Sequence, residues 1–205
     1  MSTAGPESDA RERYLLPAEW SLHEACWLAW PSSAPLWPSG LARAQRCVID
    51  LCKAIAGRDG GERIELLVQD PPAEAQAREA LAGLPVVTRR LPFGDIWMRD
   101  TAPLFVHDSG GRVSPCGFAF NGWGEKYSYP GDADLSSRII AELGLPARAF
   151  PAVLEGGAVE VDGAGLAMTT RSCVLNSNRG GPRTTEELEK LLREALGIRK
   201  LLWLD

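Results

Sequence analysis

The chain has 205 residues, 45% hydrophobic and 24% charged, which is enough to bury a real core as one large domain or two small ones. No apolar run approaches the roughly 20 residues a membrane-spanning helix requires, which points to one soluble, cytoplasmic body. The net charge is −5 and the basic residues are scattered, so there is no electrostatic footprint for nucleic acid, and a small cationic ligand suits the balance better.

Residues 1–13 are polar and carry Glu7, Asp9 and Glu12, whereas a signal peptide needs a basic start followed by an apolar segment. A disordered lead-in is expected there, ahead of one domain over 14–205. Next, His23 and Cys26 have the spacing of one helical face, which raises a nucleophile pair or half a zinc site. Nothing nearby completes four ligands, and Cys26 enters the run CWLAWP, which reads as a buried strand. The five cysteines are odd in number, lack paired metal spacing and read as reduced thiols, so no metal is expected.

From residue 41 onward one pattern recurs three times: a helix ending at glycine, then a short apolar strand. The first copy is a helix over Leu41–Ala56 closed by Gly57, followed by a strand over Arg63–Val68. A further strand is expected over 86–91. The second copy is a helix over 132–143 with Gly144 and a strand over 145–150; the third is a helix over 184–196 with Gly197 and a strand over 198–204. Asp132 and Thr184 suit the N-cap, and Thr184 with Glu187 forms a capping box, while each glycine supplies a left-handed C-terminal cap.

Hairpin patterns precede the last two helices: 104–106 with 113–118 around DSGG, and 158–161 with Leu166–Thr170 around DGAG. The unit is therefore strand, strand, helix, strand, repeated about every 50 residues as in a propeller-like fold. Helix-then-strand alternation also fits a doubly wound parallel sheet. The hairpins, and the lack of a GxGxxG or GxxxxGK loop after a strand, count against that and leave no cofactor implied.

The chemistry-bearing residues fall in the connections. Phe93 to Thr101 reads FGDIWMRDT, with Asp95, Asp100 and Arg99 around Trp97. A guanidinium is planar, permanently charged and rich in donors, so a site for one needs a carboxylate accepting parallel hydrogen bonds, here Asp100, and gains from an indole face, here Trp97. Judged locally, an Arg99–Asp100 ion pair beneath a core tryptophan is the commoner use of such residues. Glu155 in LEGG sits where Gly156 and Gly157 allow close approach, and it offers a second acceptor; a surface-turn glutamate is the plainer reading. FNGWG, with Asn121 and Trp123, is a tight aromatic loop that either lines a site or caps the core. His107, at a hairpin turn, is read as inert.

Taken together, PAEW (17–20), HE (23–24), WLAWP (27–31), WMRDT, FNGWG, LEGG and NSNR (176–179) resemble, in order and over nearly the whole chain, the agmatine deiminases and bacterial peptidylarginine deiminase-like enzymes, members of the guanidine-modifying pentein superfamily. The resemblance implies an α/β pentein propeller of five strand-strand-helix-strand blades, about three of them present here. It also implies hydrolysis of a small cationic guanidinium substrate, agmatine giving N-carbamoylputrescine and ammonia, a step in polyamine and putrescine metabolism. In such enzymes two acids hold the guanidinium, a cysteine attacks it and a histidine moves protons, without a cofactor. Asp100 aligns with the first acidic position and Glu155 with the second, Trp97 with the stacking aromatic, and Asp95, Asn121 and Trp123 lie near the substrate. The GHxD histidine motif and the glycine-rich cysteine stretch of the family are absent from these 205 residues. The expectation is thus a chain truncated before the catalytic histidine and cysteine, with a homo-oligomer or the missing C-terminal blades as its partner. A non-catalytic guanidine-binding module and a peptidylarginine deiminase-like enzyme stay open as alternatives.

Overall fold

The computed structural model describes residues 14–57, 61–182 and 184–204. The lead-in expected over 1–13 lies outside the described residues. Strands β1 (Ala25–Ala29), β2 (Arg63–Val68) and β3 (Val86–Arg90) pair in that order, all parallel, with crossovers α1 (Leu41–Ala56) and α2 (Pro71–Ala80). The one-turn helix α3 (Met98–Thr101) leads into a second sheet. There β4 (Leu104–His107) and β5 (Val113–Ala119) form an antiparallel hairpin, and β6 (Arg148–Val153) returns parallel to β5 after the short α4 (Gly122–Glu125) and α5 (Leu135–Leu143). The third sheet repeats this plan. A hairpin of β7 (Glu160–Val161) and β8 (Leu166–Thr170) is followed by α6 (Arg171–Val174), α7 (Thr185–Leu196) and a parallel β9 (Lys200–Leu204).

The second and third sheets therefore follow the expected strand-strand-helix-strand unit, and the first does not. Its three strands are parallel, and α2 has no counterpart in the sequence reading. Only Ala73 and Ala77 of α2 are buried, so its apolar period is faint. What makes it a helix is its start: the Asp70 side chain accepts from the Ala73 N–H at 2.8 Å, and prolines occupy the first turn, where their missing N–H costs nothing. Strand β6 also begins three residues later than 145, because Pro146 has no N–H for the ladder and pairing starts at Arg148 opposite Cys116.

Helices separate the sheets. Val48 and Cys52 of α1 and Ala73 and Ala77 of α2 cover one face of the first sheet at Ile64, Leu66 and Val68. Its other face, through Ala29 and Leu67, meets Leu135 and Ile139 of α5. Likewise Leu188, Leu192 and Leu196 of α7 pack against Val106 and Cys116 of the second sheet and Val161 and Ala167 of the third. The cap chemistry at α7 is as the sequence predicts: Thr184 Oγ1 accepts from the Glu187 N–H at 3.2 Å, and Gly197 ends the helix in the left-handed region. Thr184→Ala is expected to lower stability by about 1 kcal/mol, read as a shift in the urea midpoint at unchanged slope. Among the described residues, no helix is long and apolar enough to cross a membrane.

Candidate functional site

Four connections, each following the C-terminal end of a strand, meet in space: 93–101 after β3, 120–125 after β5, 154–158 after β6 and 171–179 after β8. The first two and the segment after 125 line a cleft of about 430 Å³ through Asp95, Trp97, Asp100, Trp123, Tyr127 and Tyr129, and the other two connections pack behind it. Both aspartates whose roles were open face this one space, and an indole N–H holds each. Trp123 Nε1 donates to Asp100 Oδ2 at 3.0 Å and Trp97 Nε1 to Asp95 Oδ2 at 2.9 Å. The second oxygens are taken by backbone: the Gly157 N–H on Asp100 Oδ1 at 3.2 Å and the Ile96 N–H on Asp95 Oδ1 at 2.7 Å. Each carboxylate is therefore oriented before any ligand arrives.

Two local features put these groups in place. Residues 122–125 all have positive φ, from 57° at Trp123 to 79° at Gly124, a run that glycines adopt freely and Trp123 and Glu125 only at a cost. This turn folds the indole of Trp123 back onto Asp100, edge-on to Phe120 at 4.9 Å and to Tyr127 at 6.1 Å. At LEGG, a Cβ on Gly156 would sit 2.4 Å from the Arg99 carbonyl, and one on Gly157 would sit 2.6 Å from Asp100 Oδ1. Both positions must be glycine for the loop to reach the α3 turn.

Several local readings change. Arg99 does not pair with Asp100 but with Glu19, in a fork with 2.5 and 2.7 Å contacts that ties PAEW to α3. The hydrogen bond from Arg99 holds the Glu19 carboxyl below its ordinary value. Trp97 is no core residue; it is 51% exposed at the cleft mouth. Glu155 is not a surface glutamate: it is 4% exposed, does not line the cleft, and makes a buried ion pair with Arg179. Burial pushes its carboxyl up, Arg179 opposes this, and the nearby Asp100 charge adds to the rise. Asn121 carries structure: its Oδ1 accepts from the Gly124 N–H at 2.9 Å and its Nδ2 donates to the Asn178 carbonyl at 2.8 Å. Asp132, read as an N-cap, caps nothing, because the helix begins after Asp134. It instead accepts from the Gly94 N–H at 2.7 Å and bonds the Asp95 N–H, fixing the loop that carries Asp95. Burial raises its carboxyl, against those backbone donors.

The tyrosines of the cleft, stacked at 6.4 Å, were not singled out from sequence; the YSY spacing shortly after FNGWG, beyond Glu125 and Lys126, is the signal for them. His23 and Cys26 share no helix, since Cys26 lies in β1, and His23 pairs with Glu62 at 3.2 Å. Neither histidine and none of the cysteines lines the cleft. Burial pushes the Cys52 thiol up to about 11 and the Cys116 thiol up to about 12, which keeps both protonated.

The family described as Porphyromonas-type peptidyl-arginine deiminase matches residues 15–205. A protein of Shewanella sp. (strain MR-4), named as a candidate agmatine deiminase, is 31% identical over 208 residues, covering 99% of this chain and 54% of its own length. The chain thus spans about half the length of the curated relatives it matches. Among solved structures, the agmatine deiminase of Enterococcus faecalis superposes with a TM-score of 0.84 at 26% identity, over 94% of this chain and 53% of that one. A protein of Porphyromonas gingivalis described as a candidate arginine deiminase gives 0.80 at 30% identity, over 93% and 57%. With the α/β architecture shared and the match running through all four connections, the chain belongs to the Porphyromonas-type peptidyl-arginine deiminase family.

Proposed function

We propose that this chain holds the guanidinium-binding part of an agmatine deiminase-type hydrolase, which converts agmatine and water to N-carbamoylputrescine and ammonia. The observation that carries the reading is the pair of pre-oriented carboxylates, Asp95 and Asp100, in one aromatic-lined cleft. Asp100 takes the guanidinium edge, Asp95 adds negative charge at the mouth, and the faces of Trp97 and Trp123 flank the cation and its alkyl chain. Glu155, which aligns with the second acidic position, stands outside the cleft behind the Gly156–Gly157 turn and adds negative charge beside Asp100, and Asn121 sets the loop of Trp123. The relation to agmatine deiminases and the small aromatic cleft favour a free alkylguanidine over a peptide-borne arginine.

On the same reading the three sheets are three blades of a five-bladed pentein ring. The outer face of the third sheet supports it: Met168, Leu202 and Leu204 are exposed there at 40%, 36% and 49%, an apolar surface that a further blade or a second copy covers.

Deimination also needs a thiolate to attack the guanidinium carbon and an imidazole to move protons. Among the described residues, no such group lines the cleft. The 205-residue chain is therefore expected to bind agmatine by calorimetry without releasing ammonia from it. Ammonia release above background would show chemistry that this assignment lacks. Absence of binding would remove the guanidinium site itself, whereas binding by a chain that is complete at this length would favour a non-catalytic binding module.

A further inference from the structure

The four connections are joined by a closed circuit of hydrogen bonds. Starting from Asp100, Trp123 Nε1 bonds Oδ2, and the turn of Trp123 is fastened where Asn121 Oδ1 accepts from the Gly124 N–H. Asn121 Nδ2 donates to the carbonyl of Asn178 at 2.8 Å and to that of Arg179 at 3.4 Å, and Asn178 Nδ2 donates back to the Gly124 carbonyl at 3.2 Å. The Arg179 side chain then crosses to Glu155, and two residues beyond Glu155 the Gly157 N–H returns to Asp100 Oδ1. Every link but one has a backbone or neutral group on at least one side. The exception is the Arg179–Glu155 pair, whose side chains are only 13% and 6% exposed.

We propose that Arg179 is a positioning residue of the site: clasped by Asn121 through its backbone, it locks the buried Glu155 carboxylate in place and so fixes the glycine loop that orients Asp100. This rests on the guanidinium-site reading for its consequence, but not for its geometry. A buried carboxylate without a partner gives up its charge, since desolvation favours the neutral acid. The groups facing Glu155 are Arg179, Asp100 across the Gly156–Gly157 turn, and Arg99, whose carbonyl and side chain abut the same glycines; Cys173 Sγ lies 3.8 Å from the Arg179 guanidinium. Of these, Arg179 supplies the side-chain N–H donors to Glu155, whose carboxylate also has its own backbone N–H as a donor. Loss of Arg179 therefore leaves burial and the Asp100 charge acting on Glu155, and both drive it toward protonation. The sign follows: binding of a cation that needs an ionised Glu155 switches on at higher pH without Arg179.

The test is a pH titration of the 205-residue chain labelled with carbon-13 at the glutamate carboxyls, with agmatine calorimetry at the same pH values. Comparison with E155Q assigns the Glu155 signal. In R179M that signal is expected to titrate about one to two units higher, with agmatine binding weakened about tenfold for each unit below the new value. R179K, which keeps the charge, is expected to restore most of both. An unmoved Glu155 titration in R179M overturns the proposal. So does tighter agmatine binding at an unchanged midpoint, which would make Arg179 a competitor for the carboxylate instead. If the parent chain binds no agmatine, the guanidinium-site reading fails while the carboxyl titration still decides the role of Arg179. If R179M does not fold, R179M/E155Q decides: folding like E155Q supports an uncompensated buried charge as the cause, and equal failure of the double variant overturns it.

Discussion

Asp100→Asn is expected to weaken agmatine binding by about 1.5–3 kcal/mol, roughly 10- to 150-fold in Kd, because the charged partner of the guanidinium is lost at constant shape. The change also disturbs the site locally. Both Asp100 oxygens accept N–H donors, from Trp123 and Gly157, and an asparagine can accept from only one of them. One donor must then face the new amide N–H. Asp95→Asn meets the same conflict with Ile96 and Trp97, but the Trp97 side is half open to water, which can replace the lost acceptor. Its effect on binding is expected to be smaller. Calorimetry on both variants, with urea unfolding to separate binding from stability, checks the order. Near-normal binding in Asp100→Asn together with loss in Asp95→Asn would reassign the principal acceptor.

The largest effect on stability is expected at Arg89. Glu65 sits in the middle of the central strand β2 at 1% exposure, an acid within the run RIELLV that is otherwise apolar after its first residue. Arg89 Nε donates to Glu65 Oε2 at 2.6 Å. Arg63 lies within ion-pair distance of Oε1 at 2.9 Å, yet that oxygen receives no well-formed hydrogen bond. Arg89 also reaches Glu142 of α5 at 3.2 Å and lies over the Trp27 ring, so it pins the first sheet to the helix shared with the second. Glu65 is the leading cause of the rise in the Arg89 pKa, so the guanidinium stays charged. Arg89→Ala strands the carboxylate in the sheet and is expected to cost about 3–5 kcal/mol. Removing both charges with Glu65→Leu and Arg89→Leu together is expected to cost far less, since the interior loses a pair rather than a partner. Urea denaturation of the three proteins tests this; a loss under about 1 kcal/mol for Arg89→Ala would mean that water or Arg63 already satisfies Glu65.

Much of the fold was legible in local chemistry. The glycine that ends α7, the Thr184 cap at its start and the turn residues of both hairpins act over a few residues, so they can be read without knowing what lies across the chain. The order of WMRDT, FNGWG, LEGG and NSNR was likewise enough to indicate the family. In the first sheet the three strands were legible but their parallel pairing was not, because the apolar run of a strand buried on both faces does not reveal the direction of its neighbours, and α2 was missed because it buries too little to display a period.

At the site the division is sharper. The sequence by itself pointed to two aspartates and two tryptophans of the cleft and to the glycines and glutamate packed behind it, but not to Tyr127 and Tyr129. Only the tertiary structure decided the partners. Arg99 stands next to Asp100 in sequence but reaches Glu19, 80 positions away, and Glu155 meets Arg179 across 24. A charged side chain pairs with whatever the packing of other elements brings within about 3 Å, and that distance is set by sheet register and loop closure rather than by the residues on either side of it.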